Sequence, residues 1–158
     1  METQKTKILS NTLIVFMIAM VFANVAAEMY MTMLPLYLKN LGADVMQVGI
    51  FFTVSQIVPL VLQVLGGWVS DTIGRLKSVA IGSLIGLGAY ITPIFVPTWQ
   101  WLYLSESLNA VTRSLIGPSF GAFIADETAE EHRGKVYGIT DTIYTVVTVI
   151  GPPLAGWL

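Results

Sequence analysis

The side chains that could carry chemistry in this sequence are ionisable groups inside long apolar segments. Glu28, Glu106 and Arg113 each interrupt a run of uncharged residues. An ionisable group in the middle of a membrane helix costs about 2.5–3.5 kcal/mol to insert, so it rarely persists without a partner or a task. Burial favours the neutral form of a carboxylate, and a nearby arginine favours its charged form. A glutamate under both influences can bind and release a proton, which predicts a role in ion coupling.

Helix geometry gives each of these groups a depth in the membrane. With a rise of about 1.5 Å per residue, Glu28 lies roughly 15 Å below Leu38 at the outer end of its segment. Counted from Trp101 in the same way, Arg113 is roughly 18 Å deep and Glu106 roughly 8 Å deep. Glu106 and Arg113 are seven residues apart and share one helix face. Because Glu106 is nearest the outer surface, we expect it to be less desolvated than Glu28.

Composition places these residues in a membrane protein. Of 158 residues, 54% are hydrophobic and 11% are charged, whereas soluble domains carry about 25% charge. The chain has no cysteine and a single histidine, His132, in a charged loop. This excludes thiolate sites and argues against a Ser-His-Asp triad. No phosphate-binding loop and no basic block are present, so we expect no enzyme activity, no cofactor and no nucleic-acid partner.

Five long apolar segments follow one another along the chain, each near the roughly 20 residues that a helix needs to cross a bilayer. They predict an all-α, polytopic helical bundle with membrane helices at residues 8–38, 47–70, 78–96, 101–125 and 135–158. The first segment resembles a signal peptide, but its apolar character continues to Leu38, so we expect it to remain as a helix. In the third segment, Gly82, Gly86 and Gly88 form a small-residue face suited to close packing.

Basic residues predict the orientation of the bundle. Lys39 is alone on the side of the membrane opposite the N-terminus. The side that holds the N-terminus has six basic residues: Lys5, Lys7, Arg75, Lys77, Arg133 and Lys135. Cytoplasmic loops carry the excess of Lys and Arg. We therefore expect a multi-pass protein of the plasma membrane with a cytoplasmic N-terminus.

The connection between the second and third predicted helices carries a distinctive pattern. It reads Gly-x3-Asp-x2-Gly-Arg-x-Lys, formed by Gly67, Asp71, Gly74, Arg75 and Lys77. We expect Gly67 to let two helices approach closely and Gly74 to allow a tight reversal in a short polar turn. The pattern resembles the signature loop between helices 2 and 3 of the major facilitator superfamily of transporters, except that Thr72 replaces a basic residue. The alternative is a positive loop that only fixes topology.

Three further motifs in the same order extend this resemblance over most of the chain. The fourth helix carries Arg113-x3-Gly117, and Asp126 followed by Arg133 resembles the family's loop from helix 4 to helix 5. The fifth helix carries Gly151-Pro152-Pro153-Leu154-Ala155-Gly156. It resembles the Gly-Pro-x-x-Gly-Gly motif of the proton-coupled drug antiporter branch. Ala155 departs from that motif, as does Val147, where a further glycine is expected.

The resemblance implies the N-terminal part of a transporter built from two six-helix halves, with the solute site between them. It implies alternating access for a small solute, proton-coupled efflux, a lipid bilayer as surroundings and a C-terminal half beyond this chain. Five helices are one short of a half, so we expect the chain alone to insert but not to transport. An uncoupled or sugar-type porter and a truncated, non-transporting membrane protein stay open as alternatives.

The resemblance also assigns pairs of residues. It places helices 1 and 4 side by side, which would bring Glu28 to Arg113. Glu28 then binds the coupling proton, forms a structural ion pair, or faces an aqueous vestibule, and the sequence leaves all three open. In the cytoplasmic loops, Arg75 would pair with Asp126, and Asp71 would meet the second half of the transporter.

Overall fold

The structure, a computed structural model, describes residues 11–157 and is all-α over that range. Its five helices are α1 (Asn11–Asn40), α2 (Val45–Ile73), α3 (Arg75–Ile91), α4 (Leu102–Glu127) and α5 (Arg133–Trp157). Short 3-10 turns lie at Thr92–Phe95, Trp99–Trp101 and Glu130–His132. The predicted fold class is confirmed. The predicted first residue of helix 1, Ile8, lies outside the described residues, as do Lys5, Lys7 and Leu158.

Three helical segments of the described chain are long and apolar enough to cross a membrane. They are Asn11–Asn40, Val45–Ile73 and Arg75–Phe95, the last of which includes the 3-10 turn after α3. Large apolar side chains such as Leu60 and Val64 on α2 are exposed. Lipid tails accommodate such surfaces, which water does not. Membrane crossing by α4 and α5 stays a prediction.

A glycine turn and an N-terminal capping box define the start of helix α2. Gly42 has a φ of 91°, a backbone conformation that favours glycine, and it ends the turn after α1. Asp44 then caps α2: its carboxylate accepts from the Gln47 N–H at 2.8 Å, and the Gln47 side chain accepts from the Asp44 N–H at 2.9 Å. This reciprocal pair is a capping box, which satisfies two otherwise unbonded N–H groups.

The connection between α2 and α3 differs from the predicted polar turn. Helix α2 continues through Asp71 to Ile73, and α3 starts at Arg75, so Gly74 alone separates the two helices. The Gly74 N–H still donates to the Ser70 carbonyl at 3.1 Å, which closes the last turn of α2. Its φ of 99° then turns the chain sharply, because a glycine has no Cβ to oppose that conformation. The charges of the motif therefore stand on helix ends rather than in a loop.

The described chain forms two compact units. Among the described residues, the terminal unit combines residues 11–34 with residues 124–157, and the central unit is Pro35–Phe123. Within the central unit, the Tyr37 hydroxyl donates to the Pro93 carbonyl at 2.7 Å and ties the end of α1 to the turn after α3. Phe51, fully buried on α2, packs against Tyr103 on α4 with ring centroids 4.8 Å apart and the rings tilted by 41°.

Glycines bring α2 and α3 against α4 in the central unit. A Cβ on Gly66 would lie 1.9 Å from the Ser114 carbonyl oxygen, and one on Gly82 would lie 2.9 Å from Ile116. The close approach expected at Gly67 is therefore made by its neighbour, since a Cβ on Gly67 would be 3.9 Å from its nearest atom. The predicted packing face of α3 is confirmed at Gly82, where Thr112 also donates to the Gly82 carbonyl at 3.1 Å.

A proline explains why α2 approaches α4 at this point. Pro118 has no N–H, so the Ser114 carbonyl, four residues earlier, lacks its helical donor. That carbonyl faces the Cα of Gly66, an arrangement in which a weak Cα–H···O contact is formed between helices. The two helices are consequently fixed in register one residue away from Arg113.

Candidate transport and coupling site

An ion pair within α4 is the first element of the site. The Arg113 Nη2 and the Glu106 Oε2 are 3.6 Å apart, and Asn109 Nδ2 donates to Glu106 Oε1 at 3.3 Å. The three residues lie at positions i, i+3 and i+7, so they follow one face of the helix. The side chain of Glu106 is 3% exposed and that of Arg113 is 41% exposed. A buried carboxylate thus lies beside a partly exposed guanidinium.

The burial of Glu106 corrects an expectation drawn from depth. Its position near the outer end of α4 predicted a less desolvated side chain, yet only 3% of that side chain is exposed. Glu28, deeper by residue count, is only half-buried within the described structure. Depth along a helix measures distance from the membrane surface, whereas shielding depends on which neighbours the helix rotation brings to the side chain. Glu106 is therefore a better candidate for a buried proton-binding group than the sequence indicated.

Glu28, on α1, lies against α5 in the terminal unit. A Cβ on Gly151 would lie 2.6 Å from the Cβ of Glu28, so the glutamate stem rests on the backbone of α5. Asn24, one turn before Glu28 on α1, donates from its Nδ2 to the Met20 carbonyl at 2.7 Å. Sequence reasoning missed Asn24, although its spacing of four residues from Glu28 keeps both on one helix face.

The charged residues at the end of α2 form a local cluster. Arg75 Nη1 donates to the Asp71 carboxylate and also to the Ser70 hydroxyl at 3.3 Å. Lys77 is exposed. The pairing of Arg75 with Asp126 and that of Glu28 with Arg113 both stay predictions.

Arg133, the motif residue at the start of α5, has a structural contact. Its Nε donates to the Ala125 carbonyl at 3.2 Å. The last carbonyls of a helix have no donor within the helix, and a basic side chain there satisfies one of them. Arg133 therefore fastens the end of α4 to the beginning of α5.

The proline motif of α5 combines one crowded and one open glycine. Gly151 is buried against Glu28, whereas a Cβ on Gly156 would meet nothing within 4 Å. Pro152 and Pro153 lie inside α5 and remove two backbone donors. The bend that such prolines favour stays a prediction, since α5 is helical throughout Arg133–Trp157.

Comparison with known proteins decides the family. A family model for the Major Facilitator Superfamily matches residues 16–158. The chain belongs to the Major Facilitator Superfamily. It is similar to the uncharacterized MFS-type transporter YqjV of Bacillus subtilis (strain 168), with 27% identity over 139 residues, covering 87% of this chain and 34% of that protein. It is also similar to the quinolone resistance protein NorA of Staphylococcus aureus (strain MRSA252), with 22% identity over 125 residues, covering 79% of this chain and 32% of that protein.

Membership of the Major Facilitator Superfamily makes this chain a membrane protein and confirms the family inferred from the four motifs. The chain spans about a third of the length of the curated relatives it matches. Within residues 11–157, no group of three His, Cys, Asp or Glu side chains could hold a metal ion. Among the candidate residues, the charge pairing that the described structure shows is that of Arg113 with Glu106.

Proposed function

We propose that this chain works in a secondary transporter that exports a small solute across the plasma membrane in exchange for protons. The observation that carries the proposal is the buried Glu106 carboxylate beside Arg113 on a helix of a membrane protein. Inserting such a pair into a membrane costs free energy, so ionisable residues there usually have a function. Ion coupling is a function that fits a member of this transporter superfamily. The name of one relative, a quinolone resistance protein, supports outward transport of a drug-sized solute.

Arg113 is the fixed positive charge in this proposal, and a glutamate carries the proton. While the carboxylate is charged, the two groups neutralise each other and the pair can stay buried. When the carboxylate takes up a proton, the guanidinium loses its counter-charge. Its charge is then more stable in contact with water than in a buried position. Arg113 is already 41% exposed, so it can turn toward water while Glu106 stays shielded. Proton binding thereby shifts the population between two conformations that differ in the exposure of Arg113.

Glu28 is the second proton-binding candidate, with Arg113 as the partner that the family resemblance implies. Its half-burial makes it the more accessible of the two carboxylates. A solute with a positive charge would compete with the proton for it. The proposal therefore contains two carboxylates of different shielding, and the experiment below separates them.

The cytoplasmic connection biases the conformations in this proposal, with the N-terminus in the cytoplasm. Arg75 exchanges its contact with Asp71 for one with Asp126 when the transporter changes state. An exposed ion pair contributes only about 0–1 kcal/mol. That is enough to shift two conformations of similar free energy and too little to hold the fold.

The test uses everted membrane vesicles from cells that make the full-length protein. Solute added to acid-loaded vesicles should release protons, followed with a pH-sensitive dye, and Glu106→Gln should abolish this release while leaving solute exchange intact. Glu28→Gln identifies the carrier if Glu106→Gln has no effect. Glu130→Gln, at an exposed position before α5, is the matched control and should transport normally. Full proton-driven uptake in both glutamine variants would remove these carboxylates from coupling.

An uncoupled porter is the second candidate, because Ala155 and Val147 depart from the antiporter motif of α5. In that case the wild-type protein moves solute down its gradient and releases no protons from the vesicles. The same dye measurement, made beside a solute flux measurement, separates the two functions.

A further inference from the structure

Ser55 on α2 has a buried hydroxyl that finds no partner among the described residues. The residue is 6% exposed, and its Oγ makes no hydrogen bond. Hydroxyls inside helices commonly donate to a carbonyl of the preceding turn, as the Ser119 hydroxyl does to the Leu115 carbonyl at 2.5 Å. A buried polar group that stays unbonded costs stability and is rare in native proteins. The Ser55 hydroxyl therefore indicates a site for a molecule that bonds to it.

The Ser55 carbonyl also lacks its helical donor. Pro59, four residues later, lies inside α2 and has no N–H. At Pro93, by contrast, a neighbouring helix satisfies the carbonyl that the proline frees, because the Ser105 hydroxyl on α4 donates to the Ala89 carbonyl at 2.6 Å. Ser55 thus presents a hydroxyl and a carbonyl oxygen that are separated by only three carbon atoms of one residue.

The position of Ser55 on α2 directs it toward α4. Ser55 lies four residues after Phe51 and eleven before Gly66, separations close to whole helical turns, so the three residues share one face. At one end of this face, Phe51 packs against Tyr103 of α4. At the other end, Gly66 lies against Ser114 of α4. The unbonded hydroxyl is therefore on the side of α2 that meets α4 both before and after it.

We propose that Ser55 binds one water molecule between α2 and α4, held by its hydroxyl and its carbonyl. Water suits the site because it can donate to the carbonyl and accept from the hydroxyl at the same time. Folded proteins contain about one buried water per 27 residues, and such a water typically makes about three hydrogen bonds, of which Ser55 supplies two. With Ser55 only 6% exposed, the site suits a molecule of this size rather than a solute.

The water site lies at the depth of Glu106. Phe51 and Tyr103 are in contact, and α2 and α4 run in the same direction from there, because Gly66 then meets Ser114. Counted from this contact, Ser55 is about 6 Å along α2 and Glu106 about 4.5 Å along α4. The consequence for transport rests on the proposed function: the water brings a hydrogen-bonding molecule to the level of a carboxylate that is 3% exposed.

Radiolytic labelling of the purified full-length protein in lipid nanodiscs detects such a water directly. X-rays split bound water into hydroxyl radicals, which modify the nearest side chains, and mass spectrometry measures the modification. Phe51 is the reporter, because it is fully buried and lies one turn before Ser55. Phe51 should be labelled in the wild type, and Ser55→Ala should lower its labelling rate by about threefold or more, as expected for loss of one hydrogen bond. Pro59→Ala, which restores a helical donor to the Ser55 carbonyl, should also lower it.

A matched control and a second measurement keep the result specific. Ser119→Ala removes a buried hydroxyl that already bonds within its own helix, and it should leave Phe51 labelling unchanged. Ser55→Ala should not raise the unfolding temperature, whereas removing a hydroxyl that has no partner at all would raise it. An unlabelled Phe51 in the wild type, a change of less than about twofold in Ser55→Ala, or a higher unfolding temperature of that variant overturns the proposal.

The vesicle assay tests the link to coupling separately. Ser55→Ala should slow proton release, and Ser119→Ala should not. Normal proton release in Ser55→Ala contradicts the link to Glu106, and the labelling of Phe51 still decides whether the water is bound. If Glu106→Gln leaves proton release intact, the coupling role of Glu106 fails, and the labelling result is unaffected.

Discussion

Replacing Gly66 with alanine tests the tightest glycine contact in the described structure. The new Cβ would lie 1.9 Å from the Ser114 carbonyl oxygen and 2.4 Å from its carbonyl carbon. Cβ contacts shorter than 3.0 Å are essentially never observed, so α2 and α4 would have to separate by about 1 Å. Both obstructing atoms are backbone atoms, and no side-chain rotation relieves the overlap. Overpacking costs about 1–3 kcal/mol, and we expect the upper end of that range here.

The assay is thermal unfolding of the purified full-length protein in detergent. At about 2–4 °C per kcal/mol for a unit of 150–250 residues, and less for a larger one, Gly66→Ala should lower the unfolding temperature by at most about 6–12 °C. Gly67→Ala is the matched control, because its Cβ would lie 3.9 Å from the Pro118 Cβ in ordinary contact. Equal unfolding temperatures for the two variants would refute the packing of α2 on α4 at this register.

Further predictions follow from individual contacts. Gly74→Ala should destabilise the protein by about 1–3 kcal/mol, measured by thermal unfolding, because Gly74 has a φ of 99° and not because space is lacking. Arg113→Ala should lower stability by about 1–3 kcal/mol and more than Glu106→Gln, since it removes the cation beside a buried carboxylate whereas glutamine keeps the oxygen that accepts from Asn109. A thiol at the exposed position of Asn40 should react with a membrane-impermeant reagent from outside whole cells, and one at Glu130 should not; the reverse pattern contradicts the orientation.

The helices could be predicted because long apolar segments admit few alternatives in a membrane. A backbone without water must satisfy its own hydrogen bonds, so each segment becomes a helix. The point where α2 gives way to α3 was less predictable. Asp71, Arg75 and Lys77 indicated a polar turn, but charged residues at a membrane surface can remain helical, and only Gly74 stops the hydrogen-bond ladder. Charge marks where a helix leaves the membrane rather than where the helix ends.

The candidate site was predictable in its charges and not in their surroundings. Glu28, Glu106 and Arg113 stand out in the sequence because each is expensive in an apolar segment. Their shielding depends on helix rotation, which small differences in packing decide. For that reason the burial of Glu106 was underestimated.

In both units of this chain, a tight glycine contact lies at or next to an ionisable residue of the candidate site. In the terminal unit, Gly151 lies directly against the stem of Glu28. In the central unit, Gly66 lies against Ser114, the residue after Arg113. Each contact leaves no room for a side chain, so it fixes the rotation of the helix that carries the charge. Shifting one helix of either pair by about 1 Å would move its charged group by more than the roughly 0.5 Å range of hydrogen-bond lengths. A substitution at either glycine should therefore impair proton release even in variants that still fold, whereas substitution at Gly49, where a Cβ would meet nothing within 4 Å, should not.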